Sequence, residues 1–280
     1  MPTGIGIGIA QPLLRKSPSG SSVSPFLPNQ IADLKLWLDA GRGITETGGN
    51  VVSWENQVVG GGNFNDNGVI AQRPSLTANV INNNPVVRFN GSSNWLIHSL
   101  PATYFNFLHQ SASTVFFTHI YDGNGKYGIW FDTKSLSAAS PGFAYGVYFA
   151  NIINDPVYPS VVGKFIARVW GEELLGQVDY AFDSNQVVGV PFITHTLCSG
   201  NLSSNGLQIF ENGVLKAESA LTGNGTQPAG RPNAVIGTGG DFNGNYLWKG
   251  DIAEILMYER KLNSIEISQV LSYLQTKYAL

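Results

Sequence analysis

The sequence predicts an all-β fold: an antiparallel two-sheet sandwich, preceded by an extended N-terminal arm and closed by one C-terminal helix. Three observations predict it. From Ile31 onward, roughly eleven short apolar stretches recur at intervals of about 15–20 residues, separated by Gly/Asn turns. Two of them are joined by Asn212-Gly213, the pair that two-residue hairpins favour. Helical periodicity is confined to the end of the chain.

The arm comes first. In "MPTGIGIGIAQPLLRKSPSG", Gly4, Gly6 and Gly8 alternate with Ile5, Ile7 and Ile9, so an extended conformation puts isoleucines on one face and bare backbone on the other. A lone strand leaves its N–H and C=O groups unpaired and needs a surface to dock on. Ile5, Ile7, Ile9, Leu13 and Leu14 are the candidate partner-binding residues. No secretory signal is expected, because Arg15 and Lys16 follow the apolar residues and glycine dilutes the core. A dinucleotide loop would need a preceding strand. "SPSGSSVSPFLP" reads as a linker, which gives an anchoring arm over residues 1–28 and one domain over 29–280.

The strand candidates run from "LKLWLDA" and "NVVSWENQ" through "PVVRFNG", "STVFFTHIYD", "KYGIWFD" and "PFITHTLC" to "DIAEILMYE". In the hairpin "LQIFENGVLKAES", Asn212-Gly213 supplies the two positive φ angles of a type I′ turn, flanked by Leu207, Ile209, Val214 and Leu215. At the helix, Asn263 caps the first N–H groups with Glu266 as its capping-box partner. Ile267, Val270, Leu271, Leu274 and Tyr278 then form one apolar stripe, expected to lie on the sandwich.

Composition narrows the function. Of 280 residues 43% are apolar, ample for a core, while only 12% are charged, about half the usual share of roughly 25%. A surface of Asn, Ser, Thr and Gly is more typical of secreted or virion proteins than of cytosolic enzymes. The net charge of -3 leaves no basic footprint for nucleic acid. No apolar run approaches the roughly 18 residues of a membrane span. Cys198 is the sole cysteine, so no internal disulfide can form.

"LKLWLDAGRGIT", "GNVVSWENQ" and "RPSLTANVINNNPVVRFNGSSNWL" resemble the opening of laminin G-like modules in the concanavalin A-like lectin/glucanase group. "AVIGTGG" and "YLWKGDIAEILMYERKLNSIEISQVLSYLQTKYAL" resemble their final strands and helix. The resemblance covers about residues 31–280, with a divergent centre, and implies a jelly roll with one concave sheet. Some such relatives bind glycans or loop-borne calcium, some cleave polysaccharides and many are adhesion or spacer modules, so the fold leaves function to the site.

The glucanase relatives present their carboxylates as Glu-x-Asp-x-x-Glu on one strand. Here "KGDIAEI" has Lys249 in the place of the first Glu, and strict alternation points Asp251 and Glu254 to opposite faces, whereas a retaining glycosidase holds its pair about 5–5.5 Å apart. Glu254, in phase with Ile252, Leu256 and Tyr258, reads as a hydrogen-bonded structural carboxylate. Asp241, Asn243 and Asn245 in "DFNGN" are the candidate metal ligands, for Ca²⁺, although Tyr246 and Ile252 stand where an EF-hand loop needs Gly and Glu. Asp122 and Asn124, and Asp66 with its asparagines, are further clusters of this kind, which are more often turns stabilised by their own side chains. No other cofactor is expected. His98, His109, His119 and His195 lack metal or triad spacing, and His119 and His195 sit inside apolar strands as structural residues. Trp95, Tyr104, Trp130, Tyr148 and Trp170 are open between glycan platform and core.

The expectation is a non-enzymatic virion structural protein of a bacteriophage, made in the host cytoplasm: a capsid decoration, head fibre or tail component. The arm over residues 1–28 binds other virion proteins, the domain adsorbs to host cell-surface glycans, and the assembly makes it a homo-oligomer. A cellular adhesion module and a polysaccharide-degrading enzyme remain the alternatives.

Overall fold

A computed structural model describes residues 25–122, 127–133, 146–152, 164–170, 174–181, 189–200, 203–221, 229, 232–239 and 246–280. Ile5, Ile7, Ile9, Leu13 and Leu14 of the arm lie outside them, as do Asn124 and the candidate metal ligands Asp241, Asn243 and Asn245, and the side chains of Tyr148 and Trp170.

Strands dominate. They are β1 (Leu34–Asp39), β2 (Ile44–Thr47), β3 (Asn50–Trp54), β4 (Phe64–Asn65), β5 (Ser75–Ile81), β6 (Asn84–Asn90), β7 (Leu96–Pro101), β8 (Ser113–Tyr121), β9 (Tyr127–Asp132), β10 (Gly146–Ile152), β11 (Lys164–Trp170), β12 (Leu174–Ala181), β13 (Pro191–Cys198), β14 (Ser203–Glu211), β15 (Val214–Leu221), β16 (Asn233–Ile236) and β17 (Lys249–Tyr258). A one-turn helix α1 (Phe107–Gln110) and the terminal helix α2 (Ser264–Tyr278) complete the α-helical elements described.

Antiparallel pairing arranges the strands in two layers. The first runs β5–β6–β17–β8–β13–β14–β15, with β1 beside the half of β17 that β6 leaves unpaired. The second runs β2–β3–β4–β7–β16–β9–β10–β11–β12, and Asn50 opposite Ser75 links the two. Between the layers lies a core to which β6, β8 and β17 give Phe89, Phe117 and Ile255, and β9, β10 and β11 give Trp130, Phe149 and Phe165. Phe117 stacks on Trp130 at 3.7 Å and Trp130 on Phe149 at 4.9 Å, so aromatic faces knit the two sheets.

Helix α2 makes a third layer. Val270, Leu274 and Tyr278 are buried against Trp37, Phe116, Leu256 and Tyr258 on the outer face of the first sheet, while Ile267 and Leu271 pack at the margin. This explains why β8 is buried at every residue: Phe116 faces the helix and Phe117 the other sheet. The cap forms as its sequence implies, Asn263 Oδ1 accepting from the N–H groups of Ile265 and Glu266 at 2.9 and 3.0 Å, and Glu266 accepting from Asn263 N–H. The hairpin turn does too, with φ of 48° at Asn212 and 85° at Gly213.

Candidate functional site

β17 departs from simple alternation. A bulge falls between Ile252 and Glu254, so Ile252, Ile255 and Met257 face the inter-sheet core while Ala253, Glu254, Leu256 and Tyr258 face α2. Two expectations are corrected by that one extra residue. Ile252 is out of phase with Glu254, and Asp251 shares the outer face with Glu254 instead of opposing it. Asp251 is held by the Arg88 guanidinium through two bonds of 2.6 and 2.7 Å, and Glu254 has partners of its own.

Those partners are four donors. Glu254 Oε1 accepts from Trp37 Nε1–H at 2.7 Å and from the Tyr273 hydroxyl at 2.9 Å; Oε2 accepts from Lys277 Nζ at 2.7 Å and the Tyr278 hydroxyl at 2.8 Å. Lys277 reaches a second acid, Asp39 Oδ2, at 2.7 Å, and Asp39 Oδ1 caps the Gly41 N–H at 2.8 Å. Arg42 stands 3.4 Å from Asp39 and lies over the Trp37 ring at 5.6 Å. Burial pushes the Glu254 carboxyl up from the usual carboxylate range, while the Lys277 charge opposes the shift. The Tyr273 hydroxyl is pushed well up, by burial first and then by the Glu254 charge, which leaves a neutral hydrogen-bond donor and not an activated nucleophile. Glu254 is thus the structural carboxylate that its strand setting suggests. Sequence reading misses its companions, because Trp37 and Asp39 lie some two hundred residues before Lys277.

Above this network a groove of about 780 Å³ opens between the chain entering the domain and the exposed flank of α2. Pro25, Phe26 and Leu27 form one wall, Ser268, Gln269, Ser272, Tyr273, Thr276 and Lys277 the other, and Arg42 one end. The helix wall consists of two parallel rows at i, i+4 spacing: Ser268, Ser272 and Thr276 beside Gln269, Tyr273 and Lys277. Phe26 meets the Tyr273 ring edge-to-face at 6.3 Å, so aromatic surface faces a ladder of hydroxyl and amide groups. Among the described residues no carboxylate lines the groove, since Glu254 and Asp39 lie sealed beneath it with side chains 0% and 2% exposed.

The other candidate residues go elsewhere. Asp66 is bonded by Arg73, and Asp122 pairs with Lys249 at 2.9 Å. Among the described residues no group of three or more His, Cys, Asp or Glu could hold a metal ion. His119 and His195 are buried, as their strand setting implies. His119 packs 4.0 Å from Phe117 and 4.1 Å from Phe192; His195 stacks between Phe116 and Phe210 at 5.1 and 4.3 Å. Burial takes both down to about 3, so they are neutral at physiological pH. His98 bonds the carbonyls of Gly61 and Leu100. Trp130 belongs to the core, and Tyr104 gives its hydroxyl to the Lys35 carbonyl at 2.8 Å.

No known family model and no curated protein matches the sequence. Solved structures do match in shape. The binding domain of Paraclostridial Mosquitocidal Protein 1 gives a TM-score of 0.56 at 11% identity, over 86% of this chain and 52% of that one. These likenesses establish the fold. The receptor-binding domain of botulinum neurotoxin C/D mosaic serotype gives 0.52 at 12% identity, over 86% and 51%. Trypanosoma rangeli sialidase in complex with sialic acid gives 0.52 at 12%, over 88% and 33%. The chain therefore spans about half the length of the toxin domains and about a third of the sialidase. A sandwich shared by binding domains and an enzyme leaves function to be argued from the site.

Proposed function

We propose that the protein is a non-enzymatic, lectin-like recognition module that binds a glycan in the groove along α2. The observation that carries this reading is the lining: the Phe26 ring opposite rows of hydroxyl and amide groups, with no carboxylate among the described lining residues for acid–base work on a sugar. The likeness in fold to toxin receptor-binding domains supports it. An array of bacterial surface polysaccharides tests it. Retention of at least one glycan, without release of reducing ends, is the expected result; no retention at millimolar ligand counts against recognition, and steady product release would make the protein an enzyme.

The setting we propose is the surface of a virion, with residues 1–28 as anchor and the domain displayed for adsorption to host glycans in several copies. Support comes from the alternating Ile/Gly segment and the Ser/Pro/Gly linker behind it. Deleting residues 2–24 should leave thermal unfolding of the domain unchanged and abolish incorporation into particles. Unimpaired incorporation would contradict the anchor.

A further inference from the structure

The geometry points to a neutral, linear oligosaccharide, lying along the α2 axis, as the ligand of the groove, in preference to a sialylated or other anionic one. The inference rests on the reading of the groove as a glycan site and concerns which class of glycan it takes.

Charge comes first. Among the described residues the cations lining the groove are Arg42 and Lys277, and each has an acidic partner. Lys277 Nζ lies 2.7 Å from Asp39 Oδ2 and 2.7 Å from Glu254 Oε2, and Arg42 lies 3.4 Å from the same Asp39 oxygen. Among the described residues, two cations thus stand against two carboxylates. A sugar carboxylate that paired with Lys277 would have to draw it away from two buried acids, and leaving such a charge unpaired is costly. A neutral sugar needs only donors and acceptors, and Ser268, Gln269, Ser272 and Thr276 present these at the exposed flank of the helix.

Shape comes second. Ser268, Ser272 and Thr276 succeed one another at four-residue intervals, which at 1.5 Å per residue places a hydroxyl about every 6 Å along about 12 Å of helix. Repeated hydroxyls in line suit repeated sugar units. The space of about 780 Å³ lies within the roughly 300–1,000 Å³ of small-ligand sites, which gives room for a short chain of sugar units.

The test titrates the full-length chain with neutral gluco- and galacto-oligosaccharide series of increasing length, and with sialyllactose and oligogalacturonate as anionic probes. At least one neutral series should bind and tighten with length. Ser272→Tyr, which fills the middle of the row, should weaken that binding by about tenfold or more without changing thermal unfolding. Thr276→Tyr substitutes if Ser272→Tyr disturbs the helix. An anionic probe that binds about tenfold tighter than every neutral one, and is lost in Ser272→Tyr, would overturn the ligand class while sparing the groove. Affinity independent of length overturns the linear mode. Neutral binding undiminished by both substitutions, or no binding of any probe at millimolar concentration, overturns the groove reading itself.

Discussion

Lys277 Nζ lies 2.7 Å from Glu254 Oε2, so a buried ion pair fastens the last turn of α2 to the middle of β17. The same ammonium holds Asp39 at the end of β1. Replacing Lys277 with Met leaves the buried Glu254 carboxylate without its cation and Asp39 with Arg42 alone, and removing one partner of such a pair typically costs about 3–5 kcal/mol. Lys277→Met should therefore lower the urea midpoint by far more than a surface lysine substitution. Pairing it with Glu254→Gln should recover part of the loss in a double-mutant cycle. Additive losses would mean the pair does not couple helix to sheet.

The buried histidines set an acid limb. His119 and His195 are held down at about 3, against about 6.5 in an unfolded chain. Their folded values are depressed, so the unfolded state binds the extra protons, and stability is lost as pH falls from about 6.5 towards about 3. Each contributes a slope approaching about 1.4 kcal/mol per pH unit inside that window. His195→Phe, placed between Phe116 and Phe210, should flatten the limb relative to wild type in unfolding measured from pH 7 to pH 4. The raised Glu254 carboxyl contributes with the opposite sign, but equally in both proteins, and cancels in the comparison. Parallel pH profiles would refute the assignment.

Asn56 is an organiser that composition hides. Its buried amide accepts from the N–H groups of Trp37 at 2.9 Å and Val58 at 3.1 Å, and donates to the carbonyls of Lys35 at 3.0 Å and Gly61 at 3.1 Å. Asn56→Ala strands these groups and should cost about 2–4 kcal/mol in denaturant unfolding. Asn50→Ala, at a partly exposed position, should cost less than about 0.5 kcal/mol.

A side chain at Gly213 should be strained. The Gly213 φ is 85°, and an added Cβ would meet Leu271 of α2 at 3.3 Å. Gly213→Ala should cost about 1–2 kcal/mol through left-handed strain. Asn212→Gly, which keeps the positive φ accessible, should cost less. Equal losses would place the cost in the Asn212 side chain, which accepts from Ile193 N–H at 3.0 Å.

What the sequence makes legible is whatever depends on neighbours along the chain. The Asn263–Glu266 cap, the Asn212-Gly213 turn and apolar strands such as β8 and β13 announce themselves by spacing. β2, β4, β5, β7 and β12 carry no such signature. Thr45, Glu46 and Thr47 of β2 are exposed and polar, β4 is two residues long, and Gly176 interrupts β12. The bulge in β17 is invisible for another reason: strict alternation is the only pattern a strand sequence offers, and one extra residue reverses it. The site follows the same division. The rows Ser268, Ser272, Thr276 and Gln269, Tyr273, Lys277 can be read as helical spacing, whereas Trp37, Asp39 and Phe26 join them only through tertiary packing.

Recognition along α2 is tested most directly by backbone amide shifts of the labelled protein during titration with whichever neutral oligosaccharide it retains. Perturbations should cluster at Phe26, Leu27, Arg42 and residues 268–277, and vanish in Ser272→Tyr. Perturbations concentrated on the β10–β12 face of the second sheet, with α2 unmoved, would contradict a binding site in this groove.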